Sequence, residues 1–349
     1  MRKIKQLICY FILCAIPFTA YAQEKTKIVY VKKAGSLISE LTLQEANSLT
    51  ELVVIGRINA VDFKNIRDDF KSLEVLDLSE ADIRSYMGSN GTGGSSLRVY
   101  SANAIPEHAF STPSEHTPVG KVTLREVTLP HSIRSINQFA FANCPQLQII
   151  NCKSKRPPSL KEGALSPQRT AIFVPAGSKD KYDNHKEWSK FAVIDREPLS
   201  IAVHVEKGQS LEHVLSHNRI QPKDINFLTL TGYISTNDMM LIRDYMANIV
   251  TIDLKNTDLV EIPEYTFAQK VNLLSIQLPS NLRVIGLRAF DNCNKLGPNL
   301  FLPETVTTLS FGAFNDCSSL ESVIATGSNL TAISEKLFGE RERNRIVYK

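Results

Sequence analysis

Apolar residues recur along this chain in two interleaved registers. In the second half, Leu259-x-x-Ile262, Leu282-x-x-Ile285, Val306-x-x-Leu309 and Leu330-x-x-Ile333 each lead to a phenylalanine, at 267, 290, 314 and 338, in steps of 23, 24 and 24 residues. Between them run Leu228-Thr229-Leu230, Ile252-Asp253-Leu254, Ile276-Gln277-Leu278 and Leu300-Phe301-Leu302 in steps of 24, then Val323-Ile324-Ala325 after 23. The alternation predicts one short strand per unit, and the other register predicts an apolar turn. Such a unit cannot bury its hydrophobic side alone. Stacked neighbours bury a continuous core, with strands about 4.8 Å apart.

The pattern is also duplicated. Residues 49–83 match 225–259 at an offset of 176, including Gly56/Gly232, Asp62/Asp238, Arg67/Arg243, Asp68/Asp244 and Asp77/Asp253. Farther on the offset is 149, where Ala140-Phe141-Ala142-Asn143-Cys144 matches Ala289-Phe290-Asp291-Asn292-Cys293. The offset falls because the first half carries insertions near 84–103 and 111–121. Each half opens on a strand, Ile28–Val31 or Ile201–Val205, and a short helix, Leu37–Leu41 or Leu211–Leu215, with Ser210 as N-cap. A period in the twenties with an apolar-x-x-apolar-x-apolar strand, clear in Leu73–Leu78 and Leu124–Leu129, is the leucine-rich-repeat signature. The predicted fold is an α/β repeat solenoid: tandem leucine-rich-repeat units of 23–24 residues, each half with an N-terminal strand/helix cap.

The remaining features set the compartment. Arg2, Lys3 and Lys5, the apolar run Leu7–Phe18 and the Ala20-Tyr21-Ala22 site read as a signal peptide over 1–22, too short to span a bilayer. The competing reading is a lipoprotein signal at Cys14, but Leu13 is not the small residue which that cleavage requires. Export places the chain outside the cell, at the cell surface or in the periplasm, with no membrane-spanning segment. The expected domains are 23–197, ending in a closing cap built on Tyr182 and Trp188, and 198–349, which has no such closing cap. The second domain ends in a charged stretch, Arg341–Arg345, suited to blunting a sheet edge. Removing the leader leaves 37 basic residues against 36 acidic ones, so no electrostatic footprint for nucleic acid remains. Cys144, Cys293 and Cys317 hold one repeat position and are expected to be free and buried; Cys152 stays open.

These residues resemble the BspA-like leucine-rich-repeat surface proteins of anaerobic oral and gut bacteria. The resemblance rests on Leu282–Cys293, its counterparts at 133–144 and 306–317, and the closing segment with Gly177-Ser178-Lys179, Tyr182 and Trp188. It covers nearly the whole mature chain. It implies a host-binding or adhesin-like surface role. The chain departs from the large adhesins in its Gly/Ser-rich insertion, its short array and its open second half.

No catalytic constellation emerges, so the chain reads as a non-enzyme without cofactor or metal. His213-x-x-x-His217 has metal-pair spacing but lacks the glutamate of a zinc protease, and surface histidines explain it. Asp180, Asp183, His185 and Glu187 read as a solvated helix face, with a cation site or a loop-built hydrolase as the competing reading. Leu302–Val306 resembles a sortase signal, but its apolar residues serve the repeat register. Two surfaces remain for binding. One is the outward row of the concave sheet, with Asp77, Thr128, Asp253, Gln277 and Phe301 as the ligand-binding residues. The other is the 84–103 insertion, where Gly and Ser predict mobility and Tyr86, Arg98 and Tyr100 are hot-spot types; a loop whose tyrosines fold back on the flank is the competing reading. The expected partner is a protein or glycoprotein on a host or cell surface. The alternative is a structural envelope component that self-associates through its uncapped C-terminal repeats.

Overall fold

The computed structural model describes residues 26–114, 117–325, 330, 332–333, 337–338 and 346–348. The leader and the Arg341–Arg345 stretch lie outside them. The chain divides into two compact units, one running to Glu197 and one starting at Pro198.

The two sequence registers become two parallel ladders. In the first unit, Thr26–Val31, Glu51–Ile58, Val75–Asp77, Glu126–Leu129, Ile149–Cys152, Ala171–Phe173 and Ala192–Ile194 stand side by side in chain order, all parallel. Ala104–Ile105, Ser135–Ile136 and Ser159–Leu160 form the second ladder. In the second unit, Ser200–Val205, Phe227–Gly232, Thr251–Thr257 and Ser275–Gln277 pair in one sheet, and Asn299–Leu302, Ser322–Ala325 and Ile346–Tyr348 pair in another. Its second ladder joins Glu261–Ile262, Val284–Ile285, Thr308–Leu309 and Ala332–Ile333. Each repeat leaves its strand, turns and returns in the same direction, so neighbouring strands run parallel.

The recurring phenylalanines fill the space behind the strands. Phe267, Phe290, Phe314 and Phe338 stack with centroids 5.1, 5.5 and 5.8 Å apart, and Phe110 stacks on Phe141 at 4.7 Å. The turn around each ring needs left-handed backbone on both sides: Phe139 and Asn143, Arg288 and Asn292, and Gly312 and Asp316 all have φ between 48° and 62°. Asn, Asp and Gly tolerate that region best, which explains Asn or Asp before each repeat cysteine. Those cysteines are buried and free, as is Cys152. Each repeat thiol donates to the preceding repeat's phenylalanine carbonyl: Cys144 to Phe110 (3.5 Å), Cys293 to Phe267 (2.9 Å) and Cys317 to Phe290 (3.0 Å).

A buried aspartate fastens each N-terminal cap. Asp238 caps the Thr236–Tyr245 helix by accepting from the Ser235 N–H, and it also takes the Leu211 N–H of the cap helix at 2.7 Å. Asp62 does the same in the first unit, accepting from the N–H groups of Asn59, Gly35 and Leu37. Burial pushes the Asp62 carboxyl upward against the pull of those donors. Ser210 caps the Leu211–His217 helix, its hydroxyl accepting from the His213 N–H.

Candidate binding surfaces

Residues in register across the parallel strands form the outward row. In the first unit it runs Ile28, Val53, Asp77, Thr128, Asn151, Phe173 and Ile194. Asp77 is half-buried, and its carboxylate accepts the Ser79 N–H at 2.7 Å. Thr128 is buried, with Asn151, Phe173 and Ile194 beyond it. Thr128 therefore offers no open side-chain surface. In the second unit the row runs Ala202, Thr229, Asp253 and Gln277 in one sheet and Phe301, Ile324 and Val347 in the next. Thr229 and Gln277 are exposed, and Phe301 is 61% exposed. One acid beside the first row stands out: burial, reinforced by Glu51 and Asp77, pushes Glu126 up to about 7, although Arg125 and Lys153 pull it down.

The first insertion is ordered, which corrects the expectation of a mobile loop. Tyr86–Gly88 and Arg98–Tyr100 pair as an antiparallel hairpin with Tyr86 opposite Tyr100, Met87 opposite Val99 and Gly88 opposite Arg98. The tyrosine rings stack with centroids 6.0 Å apart, Tyr100 is only 6% exposed, and its hydroxyl accepts the Gly93 N–H at 3.0 Å. Gly91 is needed beneath that ring, because a Cβ there would lie 2.5 Å from Tyr100 Cε2. Arg98 is held by Glu107 at 2.6 Å. Thr92 is fully buried and donates to the Glu107 carbonyl. The burial of Tyr100 agrees with the reading in which the tyrosines fold back on the flank rather than with Tyr86, Arg98 and Tyr100 as an outward binding set. Strand alternation puts them on the inner face and turns Met87 and Val99 outward.

A lysine that the repeat pattern disguised recurs once in each unit. Lys121 and Lys270 occupy the position that is cysteine in the later repeats, three residues before Leu124 and Leu273. Both are buried. The Lys270 ammonium donates to the Arg243 carbonyl at 2.6 Å, near the C-terminal end of the Thr236–Tyr245 helix. Lys121 donates to the Phe70 and Arg67 carbonyls just beyond and within the end of the Ala60–Asp68 helix. A cation is favoured there by the helix dipole and the unpaired last carbonyls. Burial nevertheless pushes both ammonium groups down to about 8. The signal was available in the sequence: after Phe267, lysine falls where Phe290 and Phe314 are followed by cysteine.

The other candidate chemistry does not assemble. Asp183 is paired with Lys179 and Glu187 with Lys190. The His213 and His217 rings lie 6.3 Å apart on the cap helix. Among the described residues, no group of three His, Cys, Asp or Glu side chains is placed to hold a metal ion, and no helix is long and apolar enough to cross a membrane.

The family model described as the BspA type leucine rich repeat region matches this chain in six copies, over residues 105–168 and 244–348. No curated protein matches it. Among solved structures, a leucine-rich repeat protein from Bacteroides ovatus is 14% identical, with 87% of this chain and 78% of that chain covered and a TM-score of 0.28. A leucine rich cell surface protein from Faecalibacterium prausnitzii is 17% identical, with 81% and 82% covered and a TM-score of 0.22. TLR13 in complex with ssRNA13 is 14% identical, with 93% of this chain and 54% of that chain covered and a TM-score of 0.24. Residues 105–168 and 244–348, which build much of the paired ladders, are thus leucine-rich repeats of the BspA type.

Proposed function

We propose that this chain is an exported binding module that recognises a protein or glycoprotein at or outside the cell surface, with no catalytic step of its own. The observation that carries the reading is the outward row of the second unit. Thr229, Asp253 and Gln277 are a polar series one strand apart, and Phe301, in the adjoining sheet, is an aromatic ring left in water. A mixed strip with an open aromatic suits a protein surface, where aromatic residues supply most of the binding energy. It does not suit a polyanion, which needs a run of cations. The leader over 1–22 supports export.

Binding of residues 23–349 to immobilised, purified extracellular-matrix and mucosal glycoproteins tests this. Saturable binding to at least one of them is expected. No binding, with an apparent mass that rises with protein concentration, would replace the reading with a self-associating envelope component.

A further inference from the structure

We infer that the Tyr86–Tyr100 hairpin is an aliphatic knob, and that Met87, Leu97 and Val99 seat in an apolar cleft of the protein partner; this rests on the binding role proposed above. The three side chains are 71%, 74% and 77% exposed. Met87 and Val99 are a directly opposed cross-strand pair, and Leu97 lies just before the second strand, two residues from Val99. A cluster of large aliphatic side chains left in water by an ordered element is unusual for a soluble surface and marks an interaction site.

The scaffold behind the knob is rigid. The tyrosine stack and the Arg98–Glu107 pair brace its inner face. Its roots are tied by the Arg84 N–H donating to the Ile58 carbonyl (2.7 Å) and the Asn103 N–H to the Ile83 carbonyl (2.9 Å). Arg67 Nη1 donates to the carbonyls of Thr92, His108 and Ser111 at 2.9, 3.0 and 3.2 Å, which binds both insertions to the Ala60–Asp68 helix. The duplicate of this segment shows that the fold does not require any of it. Arg67 also pairs with Asp68; in the second unit Arg243 keeps the equivalent pair with Asp244, and the repeat runs from Thr257 to Phe267 without an excursion. The first unit has therefore added a braced hairpin whose outward face buries nothing in its own core.

Size and charge select the occupant. Three side chains fall far short of the roughly 20–30 residues a side of a stable protein interface, so this face is one anchor within a larger contact and does not hold a second copy by itself. Arg98 is neutralised by Glu107 and Arg84 by Asp82. The knob therefore lacks the basic surround that holds a hairpin on an anionic lipid surface. A neutral, preorganised aliphatic anchor suits an apolar cleft in another protein.

The test compares the chain with its Met87→Ser/Leu97→Ser/Val99→Ser variant, whose substitutions leave the tyrosine stack in place. Both are measured on the same set of purified extracellular-matrix and mucosal glycoproteins. The expected result is binding weakened about tenfold or more, little changed between low and high salt, with the same circular dichroism and thermal midpoint as the parent. Equal signals from parent and variant on every glycoprotein, absence of signal from both included, overturn the inference. Equal binding by both would leave the binding role standing; silence from both would remove it as well. Two controls reassign the face if positive. These are parent-specific binding to phosphatidylcholine vesicles, which would make it a lipid anchor, and parent-specific dimers on sizing.

Discussion

Lys121 gives the sharpest energetic test of how the first unit is joined. Lys121→Met keeps the length and the apolar stem but removes a buried cation. In the folded chain the ammonium is pushed down to about 8 from an ordinary value of 10.5, chiefly by burial and then by Lys71. Each pKa unit corresponds to about 1.4 kcal/mol, so holding the charge in the fold costs about 3 kcal/mol at neutral pH. The folded value is the lower one. The unfolded chain therefore binds more protons between about pH 8 and 10.5, and stability from this group rises with pH across that window. The penalty is fully present below about pH 8 and gone above 10.5. Trp188, the single tryptophan, is buried in the same unit and reports its unfolding by fluorescence. Urea unfolding of parent and variant from pH 7 to 10.5 should show the difference, parent minus variant, moving in the parent's favour by about 3 kcal/mol. A flat difference would refute a desolvated ammonium at Lys121. So would one moving in the opposite sense.

Substitutions at three further positions probe the frame. Asp238→Ala removes the acceptor that joins the Ser235 and Leu211 N–H groups and leaves buried donors unpaired; a loss of about 3 kcal/mol is expected on denaturant titration, and a change below 1 kcal/mol would mean that the cap is held elsewhere. Phe290→Ala opens the middle of the ring stack and should lose about 3–5 kcal/mol by calorimetry. Asn292 sits at φ 57°, so Asn292→Ala should cost about 1–2 kcal/mol, whereas Asn292→Gly should change the thermal midpoint little.

The two ladders were legible in the sequence because both registers are apolar and recur with one period; Leu282, Ile285 and Phe290 are all fully buried where that period places them. The capping Ser210 was legible because its chemistry is local. What the sequence hid was parity and context. Nothing in Tyr86-Met87-Gly88 or Leu97-Arg98-Val99-Tyr100 says which alternate residues face the flank, and residue type alone favoured the tyrosines. The inner face took them because a tyrosine there gains both a stacked ring and a hydrogen bond to the Gly93 N–H. Lys121 and Lys270 were hidden for another reason. A lysine at a core position reads as a break in the repeat until the adjoining helix end supplies carbonyls for it. Thr128 was placed correctly in register and still lies buried, because register fixes the face and not what is open upon it.

Hydrogen–deuterium exchange of residues 23–349, with and without a glycoprotein that the chain binds, locates the surface that meets the partner. A hairpin seated in the partner predicts slowed exchange over 86–100 on binding, with little change in the ring-stack turns around Phe290 and Phe314. Unchanged exchange throughout 86–100 in the bound state would contradict it.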